Sequence, residues 1–210
     1  MVECKEIHNI KDPDFKEAIR VYEEGFREQK EIYMDPIIFK WMLSNKRKDR
    51  IPHIVVLKSG RVIGMASFTS TPLGAIGWYI TIIKEERNKG YSSFLLEKIK
   101  DIILEDALSK NWHDENYLFA EFEQEKAEIW SSKGFTILPI RYYQPPLIGK
   151  NEWIPLLLGA MPVRANKITG TEVLKFISYI YFKIYHVSKY KDNDYFKNIR
   201  DDCEFLSMRL

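Results

Sequence analysis

Ile82-Ile83-Lys84-Glu85-Glu86-Arg87-Asn88-Lys89-Gly90-Tyr91-Ser92 joins a predicted strand to a predicted helix through a basic turn that contains glycine. Upstream, roughly Ala75 to Ile83 is rich in β-branched and aromatic residues, the composition of a strand. Downstream, from Tyr91 to about Leu108, Leu95, Ile99, Ile102 and Ile103 share one helical face. A helix N-terminus leaves backbone N–H groups unpaired and carries partial positive charge, so the junction is a ready site for a phosphate or pyrophosphate. Gly90 lets the backbone approach an anion with no Cβ in the way, small Ser92 keeps the next turn open, and Arg87 and Lys89 add charge. An Arg-x-x-Gly turn is also ordinary in α/β proteins, so the neighbouring elements must decide.

Outward from this junction, Lys5 to Ile10 reads as a first strand, and Asp12-Pro13-Asp14 opens a helix whose face carries Phe15, Ile19, Tyr22 and Phe26. Asp35-Pro36 opens a second helix, to about Asn45. His53 to Leu57 and Arg61 to Phe68 flank Ser59-Gly60 as a hairpin. Beyond the central helix come a strand at Tyr117 to Phe122, a short helix from Lys126 stopped by Gly134, and a strand from Thr136 to Gln144 ended by Pro145-Pro146. A further apolar strand spans Ile154 to Ala160, and an amphipathic helix Thr171 to Val187. Lys189 to Asp194 reads as a solvated linker. A meander mixed with alternating units predicts an α/β (α+β) fold, a mixed sheet with helices on its faces.

With 45% hydrophobic residues in 210, the chain can bury one full core. Its 32 basic and 30 acidic residues nearly cancel, which leaves no field to recruit nucleic acid or an anionic membrane. Cys4 and Cys203 have no paired spacing, as in a reducing compartment, and the first residues lack the apolar run of a signal peptide. A cytoplasmic protein is expected. Cys4 and His8 offer no second pair of ligands, so no metal is expected, and His8-x-x-x-Asp12 lacks the surroundings that would make it catalytic.

Arg87-x-x-Gly90-x-Ser92 after a β-branched strand resembles the acetyl-CoA-binding motif of the Gcn5-related N-acetyltransferases (GNAT): Arg or Gln, two residues, Gly, one residue, then Gly or Ala. Ser92 departs slightly from it. The order of elements also matches, as does the ending Ile129-Trp130-Ser131-Ser132-Lys133-Gly134-Phe135, over roughly residues 3 to 150. The resemblance implies a GNAT domain over 1–165, with a centrally splayed sheet of about six to seven strands, and a helical extension over 166–210. It implies coenzyme A binding at Ile82, Ile83, Arg87, Asn88, Lys89, Gly90, Tyr91 and Ser92, with pantetheine pairing to the backbone of Ile82 and Trp130 nearby. A backbone N–H near Ile80 would polarise the thioester carbonyl. Plain core packing of the Ile80 and Ile82 side chains fits alongside this.

An amine is mostly protonated at neutral pH, so attack on a thioester needs a base, and in this family the base is often a Glu. Glu121 and Glu123 end a predicted strand on the face opposite Phe122, and Glu121 lies deeper in the apolar run. A strand-end acid held by solvent or a salt bridge is the other reading of Glu121. Where the family often has a Tyr as general acid this chain has Trp130, whose indole N–H has no useful acidity. Tyr142 and Tyr143 are candidate substitutes; plain packing of strand aromatics, with the thiolate leaving without a protein acid, is the other reading.

The function implied is an N-acetyltransferase that moves an acetyl group from acetyl-CoA to a primary amine of a small molecule or peptide. The rival is a CoA or acyl-CoA sensor with little turnover. The resemblance places the acceptor against Phe26 to Met42 and Tyr142 to Leu158. The aromatic C-terminal helix is either a lid on the core or the surface of a homodimer.

Overall fold

Strands and helices follow one another much as the sequence predicts in a computed structural model that describes residues 2–29, 33–112, 116–147, 151–165 and 167–209. Positions 30–32 and 148–150 of the acceptor-facing stretches, and position 166 where the extension was expected to begin, lie outside the described residues. The chain divides into two units, Met1–His113 and Asp114–Leu210.

In the first unit, β1 (Glu3–Ile7), β2 (Ile51–Ser59), β3 (Arg61–Thr71) and β4 (Gly74–Ile82) pair antiparallel in chain order. Helices α1 (Phe15–Phe26), α2 (Ile37–Ser44) and α3 (Tyr91–Ser109) cover them. Because side chains alternate along a strand, His53 and its partner Phe68 share one face while Ser67 and Tyr79 share the other. The first face meets α3, where His53 Nε2 lies 2.7 Å from Asp106 Oδ2. The second meets α1 and α2: Tyr22 packs edge-on against Tyr79 and Phe39, at centroid distances of 4.8 and 4.7 Å. Such pairs are each worth about 0.5–1.5 kcal/mol beyond area burial. The Tyr22 hydroxyl donates to the Met34 carbonyl (3.0 Å) and accepts from its N–H (2.9 Å), which fixes the chain as it enters α2.

β1 begins and ends earlier than the pattern indicated, at Glu3–Ile7. Past Ile7 the chain turns so that Asp12 and Asp14 can meet Lys5, at 2.7 and 2.8 Å, and Lys58 also reaches Asp14, at 2.8 Å. Two carboxylates beside the start of α1 suit its positive dipole end.

His53 is buried, stacked on Phe68, and bridges two acids, with Nδ1 2.7 Å from Glu6 Oε1 and Nε2 2.7 Å from Asp106. Burial alone would lower its pKa, but hydrogen bonds and charge from Asp106 and Glu6 win and raise it. Glu6 is shifted down: its hydrogen bond and charge interaction with His53 outweigh the opposing effect of burial. Glu6 therefore contributes stability above its ordinary value of 4.5 and loses it as pH falls through the lower folded one. His53 contributes fully below its ordinary 6.5 and loses that contribution as pH rises through the higher folded one. The Tm gap between wild type and His53→Gln should thus be widest between about pH 4.5 and 6.5 and narrow toward pH 9. A gap that widens with pH in thermal melts would contradict the triad's electrostatics.

In the second unit, β5 (Tyr117–Phe122), β6 (Thr136–Ile137) and β7 (Tyr142–Gln144) all pair antiparallel with β8 (Ile154–Pro162). The predicted strand 136–144 is broken in two, since Pro139 has no N–H to give a ladder. Short helix α4 (Ala127–Ser131) precedes β6, and Gly159 of β8 leaves room for Phe122 and Phe135, which a Cβ there would meet at 2.8 and 3.3 Å. Residues beyond β8 form β9 (Lys167–Thr169), α5 (Gly170–Tyr179), a π-helical turn (Ile180–Ile184), α6 (Asp194–Cys203) and β10 (Ser207–Arg209), which pairs with β9. Thr169 and Glu172 form a reciprocal capping box at the start of α5. Phe176 of α5 stacks on Phe119 of β5 with centroids 3.8 Å apart.

The segment 189–194 is not the solvated linker the sequence suggested. Tyr190 is buried against Tyr181 and Phe196, and Asn193 caps α6, a helix with Phe196, Ile199 and Cys203 on its inner face. The exposed lysines around Tyr190 hid this anchor in the charge pattern. Among the described residues, no helix is long and apolar enough to cross a membrane.

Candidate active site

In the first unit, β4 carries one extra residue relative to β3: Ser67 faces Tyr79 and Phe68 faces Gly77, so Trp78 is a bulge. Its indole N–H donates to Thr69 Oγ1 at 2.9 Å. Bulges sharpen twist and re-aim the residues beside them, here the stretch that leads through half-buried Ile80 to buried Ile82 and Ile83. The Ile83 N–H is held by the Ile63 carbonyl at 2.9 Å, and a 3₁₀ turn at Lys84–Glu86 carries the chain away from the sheet.

The backbone then turns left-handed twice, at Asn88 (φ +63°) and at Gly90 (φ +81°), and Gly90 is the N-cap of the 19-residue α3. Among the described residues, no side chain caps this end. The Gly90 carbonyl accepts from Ser93 and Phe94, while the first-turn amides of Tyr91 and Ser92 have no partner within the helix. A Cβ at Gly90 would meet no atom within 4 Å, so the turn opens onto free space. Arg87 is exposed, yet its Nε is tied to the Ile82 carbonyl at 2.9 Å, which fixes the guanidinium beside the strand end. Lys89 pairs with Glu86 at 2.8 Å. Unpaired amides, a positive helix end and two cations at an open turn suit a pyrophosphate.

In the second unit, Glu121 of β5 is half-buried and its carboxylate accepts from three neutral donors. Tyr142 donates to Oε1, while Gln144 Nε2 and Tyr185 Oη each reach Oε2 at 2.6 Å. Burial raises the Glu121 pKa above its ordinary value; the three hydrogen bonds oppose this and only in part offset it. Tyr142, which is buried, and Tyr185, which is partly exposed, lose solvent beside this carboxyl and are pushed well above the usual phenol range. A carboxylate that holds its proton more readily than usual is a better base. The Gln144 Oε1 is buried beside the acid with no donor among the described residues.

The model of the acetyltransferase (GNAT) family matches residues 7–125, more than half of the chain. The chain belongs to the GNAT acetyltransferase family. Enzymes of this family use acetyl-CoA, and the matched span includes both the Arg87–Ser92 turn and Glu121. Among solved structures, a GNAT-family protein from Bacteroides thetaiotaomicron is similar with TM-score 0.69 and 16% identity, over 89% of this chain and 99% of that one. The ribosomal-protein-S18-alanine N-acetyltransferase of Escherichia coli is similar with TM-score 0.51 and 16% identity, over 79% and 96%. Tetrahymena GCN5 gives 0.51 and 13%, over 77% and 96%. At such identities the likeness speaks for the fold, a mixed α/β GNAT fold. No curated protein matches in sequence.

The other residues singled out in this GNAT chain fall as follows. Glu123 sits half-buried just past β5, where its backbone carbonyl accepts from the Lys126 N–H at 3.0 Å and, among the described residues, its side chain makes no cap to the 3₁₀ turn before α4. Trp130 of α4 packs on Phe122 and Phe135, with centroids 6.1 and 5.6 Å away. Tyr143 packs tilted against Tyr195, with centroids 4.3 Å apart, and points away from Glu121, as alternation along β7 requires. Its neighbours Tyr142 and Gln144 point toward the acid instead. Tyr185 and Gln144 were not singled out from the sequence as partners of Glu121. They lie 64 and 23 residues away from it, and no local spacing rule connects them.

Proposed function

We propose that this GNAT acetyltransferase moves an acetyl group from acetyl-CoA to a primary amine of a small molecule or peptide, by direct attack. The observation that carries the donor half is Gly90: a left-handed, uncapped start to a long helix, open to space and flanked by Arg87 and Lys89. The turn from Arg87 to Ser92 would hold the pyrophosphate, and the backbone of Ile80 and Ile82 the pantetheine arm and thioester carbonyl. Residues 1–165 are the acyltransferase part and 166–210 its helical extension.

Acetyl-CoA supplies an activated acyl group as a thioester. Glu121 takes a proton from the acceptor, directly or through water, as the amine nitrogen bonds the acyl carbon and the carbon–sulfur bond breaks. Trp130 offers no proton to the thiolate, so the thiolate leaves without help from α4. CoA at millimolar concentration should raise the Tm of the purified protein, because a ligand bound only by the folded state stabilises it by mass action. An unchanged Tm would count against the donor site. The packed Trp130 is also what favours the rival reading, a CoA sensor. Amine-dependent release of CoA separates the two.

A further inference from the structure

All three donors to Glu121 come from beyond residue 125, where the family model ends. Two sit on β7, and the third, Tyr185, arrives from the end of the π-helical turn that follows α5. That turn is π-helical: the Tyr185 N–H bonds the Ile180 carbonyl at 2.8 Å, and His186 then turns left-handed at φ +58°. Wide turns of this kind recur at functional sites because they re-aim a side chain that a regular helix would carry elsewhere. The turn is anchored by Tyr181, buried among Trp153, Tyr190 and Phe196, whose hydroxyl donates to the Tyr143 carbonyl. Tyr142 and Gln144 are buried, whereas Tyr185 keeps partial exposure, as Glu121 does. Gln144 Nε2 also lies 3.2 Å from Tyr185 Oη, which closes a ring of acid, phenol and amide.

We propose that Tyr185, delivered from outside the span common to the family, is a positioning residue for Glu121: its hydroxyl fixes Oε2 and sets how readily the carboxylate takes the acceptor's proton. The proposal rests on the reading of Glu121 as base. The titratable groups facing the acid are Tyr142 on β7 and Tyr181 and Tyr185 on the π-helical turn, and Gln144 is its neutral neighbour. Each hydrogen bond from these donors favours the ionised acid, so loss of one moves its titration to higher pH.

Tyr185→Phe removes only the hydroxyl and keeps the ring. Tyr181→Phe, on the same turn, is the control for helix docking. Carbon-13 NMR of the glutamate side-chain carboxyls, with the Glu121 signal assigned by its loss in Glu121→Gln, reads the acid directly. Tyr185→Phe should move the Glu121 titration upward while Tyr181→Phe leaves it close to wild type. With acetyl-CoA and a panel of primary amines, the acid limb of kcat/KM should move the same way, with a loss of about tenfold on that limb and little on the alkaline side. An unmoved titration in Tyr185→Phe, or an equal move in Tyr181→Phe, overturns the proposal whatever the turnover. A titration moved by Tyr185→Phe, in a protein whose wild type acetylates no amine, supports the coupling and sinks the acetyltransferase reading instead.

Discussion

Glu121→Gln should lose roughly 10²- to 10⁴-fold of the acyl-transfer rate near neutral pH while CoA still raises the melting temperature. The substitution keeps shape and removes basicity. Its new amide N–H₂ faces phenols that can rotate to accept, and Gln144 can turn its unpartnered Oε1 toward it, so the cluster has a way to repair itself. The loss should shrink as pH rises toward the amine's own pKa, where free amine no longer needs an enzyme base. In wild type the rate should fall as pH drops through the Glu121 pKa, which burial has raised above 4.5. Glu123→Gln, two residues along and just past β5, is the control. Rates of CoA release from pH 6 to 10 decide: a Glu121→Gln profile that overlays wild type removes Glu121 from the mechanism, and a selective loss in Glu123→Gln transfers the role there.

Gly90→Val should abolish the CoA-dependent rise in Tm. At a ligand concentration 100 times the Kd that rise corresponds to about 2.7 kcal/mol, and the valine side chain would stand in the open space where the phosphates approach. The backbone there is left-handed at φ +81°, so any side chain also costs about 1–2 kcal/mol of folding stability. The readout is therefore the increment caused by CoA in each variant, not the basal Tm. Gly90→Ala has the same backbone cost with less bulk and should keep part of the increment. Equal increments in wild type and Gly90→Val would remove the pyrophosphate from this turn.

The strand–turn–helix junction at Arg87 to Ser92 was legible because its signals are local. A strand, a basic Gly turn and an apolar helix face lie within about thirty residues of one another, and the physics of a helix start needs nothing from elsewhere. Strands β2 to β4 and helix α3 were legible for the same reason, since periodicity and turn residues mark them. The surroundings of Glu121 were not. Its position on β5 follows from alternation, but three donors at positions 142, 144 and 185 meet it only through β8 pairing and a π-helical turn, neither of which leaves a spacing signature. The C-terminal elements were obscured by charge: α6 buries Phe196, Ile199 and Cys203 beneath a largely polar sequence. The break at Pro139 could have been read from the proline itself.

The central claim is that this chain transfers an acetyl group to a primary amine. It is tested most directly by incubating the purified protein with isotopically labelled acetyl-CoA and a mixture of primary amines, including peptides with free N-termini and lysines, then searching by mass spectrometry for label on nitrogen. The account predicts labelled amide on at least one amine, dependent on the protein and reduced at least 10²-fold in Glu121→Gln. Bound CoA with no labelled amide from any amine, and wild type no different from Glu121→Gln, would contradict it.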